Sequence, residues 1–314
     1  VEGEKTCRKI YFASRLKSAS DVLPPAYRIA LETLGAKTRC DISELRLRTG
    51  RSFSALCSGG EMPVCARDGR ALPVTKEDIL YVLDRATQSS IHSYANTLKN
   101  GFVTISGGHR IGICGSAIVK DGEVVGFKDY SSLSIRVAKE IKGISEELVR
   151  QIRNGGEFRG TLIASMPGVG KTTLLRDMIR VLSKTYRVGV ADERSELAGT
   201  FRGRPQFDLG EQTDVIDSCP KDVAIMILIR TMNPQIVALD EITMKEDTQA
   251  LLGALNCGVI PLATAHAEDI RDVREKPMYR TLIESGAFRN LVFIRRSGDE
   301  RQYELFRLKE GDYA

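Results

Sequence analysis

The chain has 314 residues, with 46 Lys plus Arg against 41 Asp plus Glu and a hydrophobic fraction of 42%. That length suits two domains, and the ordinary balance of apolar and charged residues excludes whole-chain disorder, collagen and coiled coil. A membrane-spanning helix needs about 18 consecutive apolar residues, and the best runs, 223–229 and 250–255, fall far short.

Residues 1–20 are polar, carry no apolar stretch of the signal-peptide kind, and read as a loosely held arm. Residues 23–35 read as a helix with Pro in its first turn and Gly35 past its end. Residues 43–57 alternate apolar and polar, giving strand–turn–strand around Thr49 and Gly50. Residues 75–88, with a Thr cap, an acidic first turn and 3.6-residue apolar spacing, form a helix. From 101 to 137 short β-like runs follow, so the front domain is α+β. Residues 144–153 form a short helix, and the Gly-rich stretch 154–160 marks the domain boundary. The expected division is therefore 1–154, a docking or oligomerisation domain, and 155–314.

Beyond it the pattern becomes strand–helix alternation: strand TLIAS, helix 171–184, strand YRVGVAD, helix 219–232, strand QIVALDE, helix 245–256 and strand VIPLATAH. This is the rhythm of a parallel sheet covered on both faces.

Ser165-Met166-Pro167-Gly168-Val169-Gly170-Lys171-Thr172-Thr173 lies between an apolar strand and an amphipathic helix. Glycines let successive backbone N–H groups turn inward onto phosphate oxygens, and the helix adds its positive end. Lys171 then reaches the β/γ-phosphates and the Thr172 hydroxyl ligates Mg²⁺. The usual pattern opens on Gly where this chain has Ser165, another small residue.

The strand Ile236–Leu239 runs into Asp240 and Glu241 at its C-terminal end, where ligands bind in such sheets. Asp240 suits metal binding and Glu241 suits activating water, which favours hydrolysis over transfer by a kinase. Asp192, Glu193 and Glu196 follow another strand to the same rim, as do Thr264 and His266. The segment 107–115 lacks the spacing of a dinucleotide fingerprint and leads into a strand, so that reading is rejected. Arg110 and Arg136 lie on β-like runs of the front domain, where either could reach a phosphate.

Charge is unevenly spread: residues 1–155 carry 24 basic and 17 acidic side chains, residues 156–314 carry 22 and 24. The basic half has no run of four or more Lys/Arg and no interleaved aromatics, so nucleic acid is not an expected partner. Seven cysteines without a CxxC fit neither a disulfide framework nor a zinc site and point to a reducing, cytoplasmic setting.

Together these segments resemble the type II/IV secretion ATPase superfamily. The stretch 228–267 is similar to its Walker B and His boxes, with His266 at the His position. VADERSEL is similar to its Asp box, with Glu196 as the third carboxylate; the leading acids read Asp192-Glu193 where Glu-Asp is more usual. Asp240-Glu241 replaces the superfamily's Gly-Glu. From about residue 23 onward the chain resembles more closely the stage III sporulation protein AA family of endospore-forming Firmicutes, through ELRLRTGR, GFVTISGGHRIGICG, SSLSIRVA, PGVGKTTLLRD, GVADERSELAG, TDVIDSCPK and IRTMNPQIVALDEI.

The resemblance implies a RecA/secretion-ATPase-like P-loop domain preceded by a smaller α+β domain. It also implies ATP and Mg²⁺ as ligands, a homo-oligomeric and specifically hexameric ring, and front-domain arginines, Arg136 or Arg110, reaching nucleotide. The implied setting is the mother-cell cytoplasm, alongside membrane-protein partners of a sporulation channel complex. Two rivals share the residues: a nucleic-acid-associated ATPase, and a scaffold that binds ATP without turnover.

Overall fold

The computed structural model describes residues 2–87, 101–297 and 300–308. The chain forms two compact units, one of residues 1–139 with 201–206 and one of residues 140–200 with 207–314. The division falls at 139/140, upstream of 154, because the helix after it buries Leu148, Val149 and Ile152 in the core of the second unit.

In the first unit the strands are β1 (Glu44–Arg48), β2 (Ser54–Cys57), β3 (Gly60–Pro63), β4 (Phe102–Ile105), β5 (His109–Lys120) and β6 (Glu123–Arg136). They pair antiparallel in the order β3-β2-β1-β6-β5-β4. The runs EVVGF and SSLSIRVA are parts of one long strand, β6. Alternation puts Leu45, Leu47, Ile111, Leu133 and Ile135 into the core, covered by Leu23 and by Tyr27 and Leu31 from α2 (Pro25–Thr33). Between α2 and β1 lies the short helix α3 (Ala36–Asp41). Ile79, Val82 and Leu83 of α4 (Lys76–Thr87) join the same core. Asp78 N–H donates to Thr75 Oγ1 and Thr75 N–H to Asp78 Oδ2, at 3.2 and 2.9 Å, a reciprocal cap that starts α4 where its sequence predicts; residue 88 lies outside the described residues.

Residues 1–20 are not an irregular arm. Glu2–Ser20 form helix α1, whose last turns bury Leu16 and Ala19. Two apolar residues three apart are enough to dock a helix end, yet too few to give a polar segment a visible periodicity. Arg15 donates to Gly107 O and, at 2.9 Å, to Ala138 O. His109 is wholly buried beside it: its Nδ1 accepts from Ala138 N–H at 3.0 Å, so Nε2 carries the proton and meets Ser18 Oγ at 2.6 Å.

In the second unit the sheet order is β13-β12-β7-β11-β10-β8-β9. The strands are β7 (Thr161–Ser165), β8 (Val188–Asp192), β9 (Thr213–Asp217), β10 (Ile236–Leu239), β11 (Ile260–His266), β12 (Asn290–Ser297) and β13 (Glu300–Arg307). All are parallel except β13, which returns antiparallel along β12 at one edge.

Successive core-strand residues face opposite ways, so Leu162, Val237 and Leu239 pack into one apolar cluster and Ile163, Ile236 and Ala238 into another. The first is covered by α7 (Lys221–Met232), α8 (Lys245–Asn256) and α10 (Pro277–Glu284), which follows the short α9 (Ile270–Glu275). The second is covered by α5 (Glu146–Arg153) and α6 (Lys171–Leu182). In chain order an α+β unit is thus followed by an α/β P-loop sheet, the fold class the residue pattern predicts. Strand β11 separates the strand that feeds the Gly-rich loop from the strand that ends in Asp240-Glu241, and its last residues therefore lie between the two.

Candidate nucleotide site

The loop between β7 and α6 turns through left-handed backbone at Gly168 (φ 74°) and Gly170 (φ 119°), a region that side chains with a Cβ rarely adopt. Ser165 is fully buried as the last residue of β7, and its hydroxyl donates to Met166 O at 2.9 Å, so Ser fits where the pattern usually has Gly. Arg301, from the edge strand β13, donates from Nε to Val169 O at 2.6 Å. Nothing in its sequence neighbourhood marks Arg301 as a loop residue.

Lys171 opens α6 with 5% of its surface exposed. Its ammonium donates to Ser165 O at 3.1 Å and Met166 O at 3.3 Å, and lies 2.8 Å from His266 Nδ1. Burial lowers its pKa, opposed by the nearby carboxylates of Glu241 and Asp240. The next residue along α6 reaches the neighbouring strand ends: Thr172 Oγ1 donates to Asp240 Oδ2 at 2.6 Å, and Thr264 Oγ1 donates to Asp240 Oδ1 at 2.6 Å. Thr264 also accepts from Glu241 N–H at 2.8 Å.

Glu241 adopts φ 54°, a left-handed conformation unusual for a residue with a side chain, and its Oε1 lies 2.7 Å from His266 Nε2. His266 thus touches Lys171 with one ring nitrogen and Glu241 with the other. Lysine, metal-binding pair, carboxylate and imidazole form one hydrogen-bonded chain, Thr172–Asp240–Thr264 on one side and Lys171–His266–Glu241 on the other.

The carboxylates after β8 divide in role. Asp192 is buried and accepts from the backbone N–H of Glu196, Leu197 and Ala198, at 2.8–3.1 Å, so it builds the turn rather than facing the rim. Burial raises its pKa and those three amides oppose the shift. Arg176, on the phosphate-loop helix, fastens the same turn by donating to Leu197 O at 2.8 Å and Glu196 O at 2.6 Å, and its guanidinium lies over the Phe207 ring. Glu193 and Glu196 line a small cavity together with Asp240, Glu241 and Lys221. No motif signals Lys221. It is 7% exposed, and its ammonium donates to Glu241 O at 2.6 Å.

Arg110 and Arg136 belong to the first unit, directly opposite each other on β5 and β6. Glu44 on β1 is opposite Arg136 and lies 3.3 Å from its guanidinium. Arg110 stacks over Phe102 at 3.6 Å.

The profile of the family described as sporulation stage III, protein AA matches residues 18–305. Stage III sporulation protein AA of Bacillus subtilis (strain 168) is 36% identical over 288 residues, which cover 90% of this chain and 92% of that protein. Among solved structures, the Yersinia pseudotuberculosis ATPase DotB is similar over 87% of this chain and 76% of its own, with 16% identity and a TM-score of 0.56. The pilus retraction motor PilT, solved with ADP bound, is similar over 86% of this chain and 80% of its own, with 15% identity and a TM-score of 0.55. These two share the fold.

Proposed function

Since the chain belongs to the stage III sporulation protein AA family, we propose that it is a Mg²⁺-dependent ATPase that powers or gates a secretion-like channel complex during endospore formation. The observation that carries this reading is the single network joining Lys171, Thr172, Asp240, Glu241 and His266 at the C-terminal rim of a parallel sheet.

The residues present fit a magnesium nucleotide. Hydroxyl and carboxylate oxygens are the hard donors that Mg²⁺ prefers, and Thr172 with Asp240 supplies one of each at 2.6 Å from each other. When bound, Mg²⁺ would neutralise charge on the phosphate oxygens. The loop N–H groups and the start of α6 hold the phosphates. Lys171, now turned to Ser165 O, Met166 O and His266, exchanges those acceptors for phosphate oxygens. Glu241 Oε1 takes a proton from the attacking water as its oxygen bonds to the γ-phosphorus and the bond to ADP breaks. His266 orients Glu241 through Nε2, and Glu196 contributes negative charge at the same rim.

The active unit is a homo-oligomer, by resemblance a hexameric ring, in which Arg136 or Arg110 of one subunit completes a neighbour's site. Two arginines directly opposite each other repel, and their placement at one register position of the sheet supports a role in receiving anionic charge. Membrane-protein partners of the sporulation channel complex dock on the ring from the cytoplasmic side of the mother cell; among the described residues no helix is long and apolar enough to cross a membrane. The direct test is Lys171→Ala, expected to abolish ATP binding or turnover because it removes the charge opposite the phosphates. Unchanged binding and turnover in a folded Lys171→Ala protein would overturn the assignment.

A further inference from the structure

We propose that Lys221, which lies in no nucleotide-binding motif of the chain, is a positioning residue for Glu241: its buried ammonium holds the Glu241 carbonyl and thereby aims the Glu241 carboxylate at the attacking water. The proposal rests on the reading of Glu241 as the general base.

Lys221 is placed against two elementary preferences. It is the first residue of α7, where the helix dipole disfavours a cation, and it is 7% exposed, where an ammonium loses hydration and needs acceptors to replace it. The chain supplies them. Nζ donates to Glu241 O at 2.6 Å and to Thr243 Oγ1 at 3.1 Å, and pairs with Asp247 at 3.2 Å and with Glu193 at 3.7 Å.

Asp247 in turn accepts from Thr243 N–H at 2.9 Å and Met244 N–H at 3.1 Å. It therefore caps α8 while it balances the lysine. Lys221 sits where the connection from β10 to α8 crosses the start of α7, and it grips that connection at Glu241.

Glu241 is the residue there that needs holding. Left-handed backbone costs about 1 kcal/mol or more for a residue with a Cβ, and Glu241 has φ 54°. Two contacts fix its peptide units from opposite ends: Thr264 Oγ1 receives its N–H and Lys221 holds its C=O. With both ends fixed, the side chain leaves the strand toward His266, 2.7 Å away. Without the ammonium, the carbonyl is free to rotate and the backbone to relax toward the right-handed region, carrying the carboxylate off its line. A displacement of about 1 Å at a catalytic group can cost on the order of a hundredfold in rate. The lysine touches neither loop nor Thr172, so nucleotide binding is outside its reach.

The test compares phosphate release and ATP affinity, read with a fluorescent ATP analogue, in wild type, Lys221→Met and Lys221→Ala, with folding followed by circular dichroism. The expected result is a fall in kcat of about tenfold or more with affinity kept within about threefold. Added n-propylammonium, which replaces the atoms removed in Lys221→Ala, should restore part of that kcat. A kcat within about twofold of wild type overturns the proposal. So does a joint loss of affinity and turnover, or failure of both variants to fold, each of which marks Lys221 as structural.

If wild type itself binds ATP and releases no phosphate, the ATPase reading fails, and crystal structures then decide the positioning separately. A Glu241 carboxylate moved away from His266 in Lys221→Met supports it, and a carboxylate placed as in wild type overturns it.

Discussion

At the level of single residues, the two described histidines show how place decides chemistry. His266 ends a central strand between the phosphate loop and Glu241, half-exposed and hydrogen-bonded through both nitrogens. His109 is sealed in the first unit, and burial, helped by the nearby Arg15 guanidinium, pushes its pKa from 6.5 to about 3. The sign follows from linkage: a folded-state pKa below the unfolded value means that protons bind the unfolded chain first. The neutral ring's stabilising contribution is complete above pH 6.5 and is lost as pH falls from there toward 3. Between pH 7 and 5.5 the first unit should lose about 1 kcal/mol from this group. Urea unfolding of wild type and His109→Gln at both pH values checks it: the variant should lack that increment of pH dependence, and an equal increment in both would contradict the assignment. Arg15 and Ser18 would then be the partners that break.

Among secondary-structure elements, sequence legibility follows burial symmetry. Strands β7, β8 and β10 are buried on both faces and read as apolar runs; β9, Thr213–Asp217, is partly buried throughout and carries polar residues at both ends, so nothing in TDVID announces an edge strand. The β12–β13 hairpin is hidden in the sequence because β13 is rich in charge, although its Tyr303 and Leu305 pack at alternate positions. Helix α1 is hidden because only its end is apolar on the inner side. Leu16→Ala should therefore cost about 2–4 kcal/mol, the range for a buried leucine truncated against a packed core, read as a shift in the first unit's unfolding midpoint. A loss below about 0.5 kcal/mol, the scale of surface substitutions, would restore the picture of an undocked arm.

The candidate site divides along similar lines. Lys171, Thr172, Asp240, Glu241 and His266 are legible because each sits at a fixed offset from a strand end, and strand ends are what hydrophobic patterning locates well. Lys221, Arg176 and Arg301 are not, since each reaches the site from a helix or edge strand whose placement depends on tertiary packing. Asp192 illustrates the converse: its position at a strand end is right for catalysis, yet its carboxylate is consumed by three backbone amides.

For the whole molecule, the prediction concerns how subunits share a site. An Arg136→Ala protein and a Glu241→Gln protein, each inactive alone, should regain part of the ATPase activity when mixed, because some interfaces then join an intact arginine to an intact glutamate; an arginine acting in trans contributes about 10³–10⁵ in rate. No recovery despite demonstrated co-assembly would place the arginine's work within its own subunit. The basic front half should not bind DNA tightly at physiological salt, since its charges are spread along 155 residues and few phosphates would be neutralised together. Submicromolar affinity for duplex or single strand in a filter-binding assay would favour the nucleic-acid-associated reading instead.

The measurement that bears most directly on the central claim is steady-state phosphate release by wild type and Glu241→Gln, alongside ATP binding by both. The amide occupies nearly the same space as the carboxylate and cannot accept the water's proton, and general-base removal typically costs about 10²–10⁴ in rate. The expected outcome is Mg²⁺-dependent release by wild type, release reduced by at least about a hundredfold in Glu241→Gln, and ATP affinity preserved. Release by Glu241→Gln at the wild-type rate, or none by wild type in the presence of Mg²⁺ and its membrane-protein partner, would contradict it.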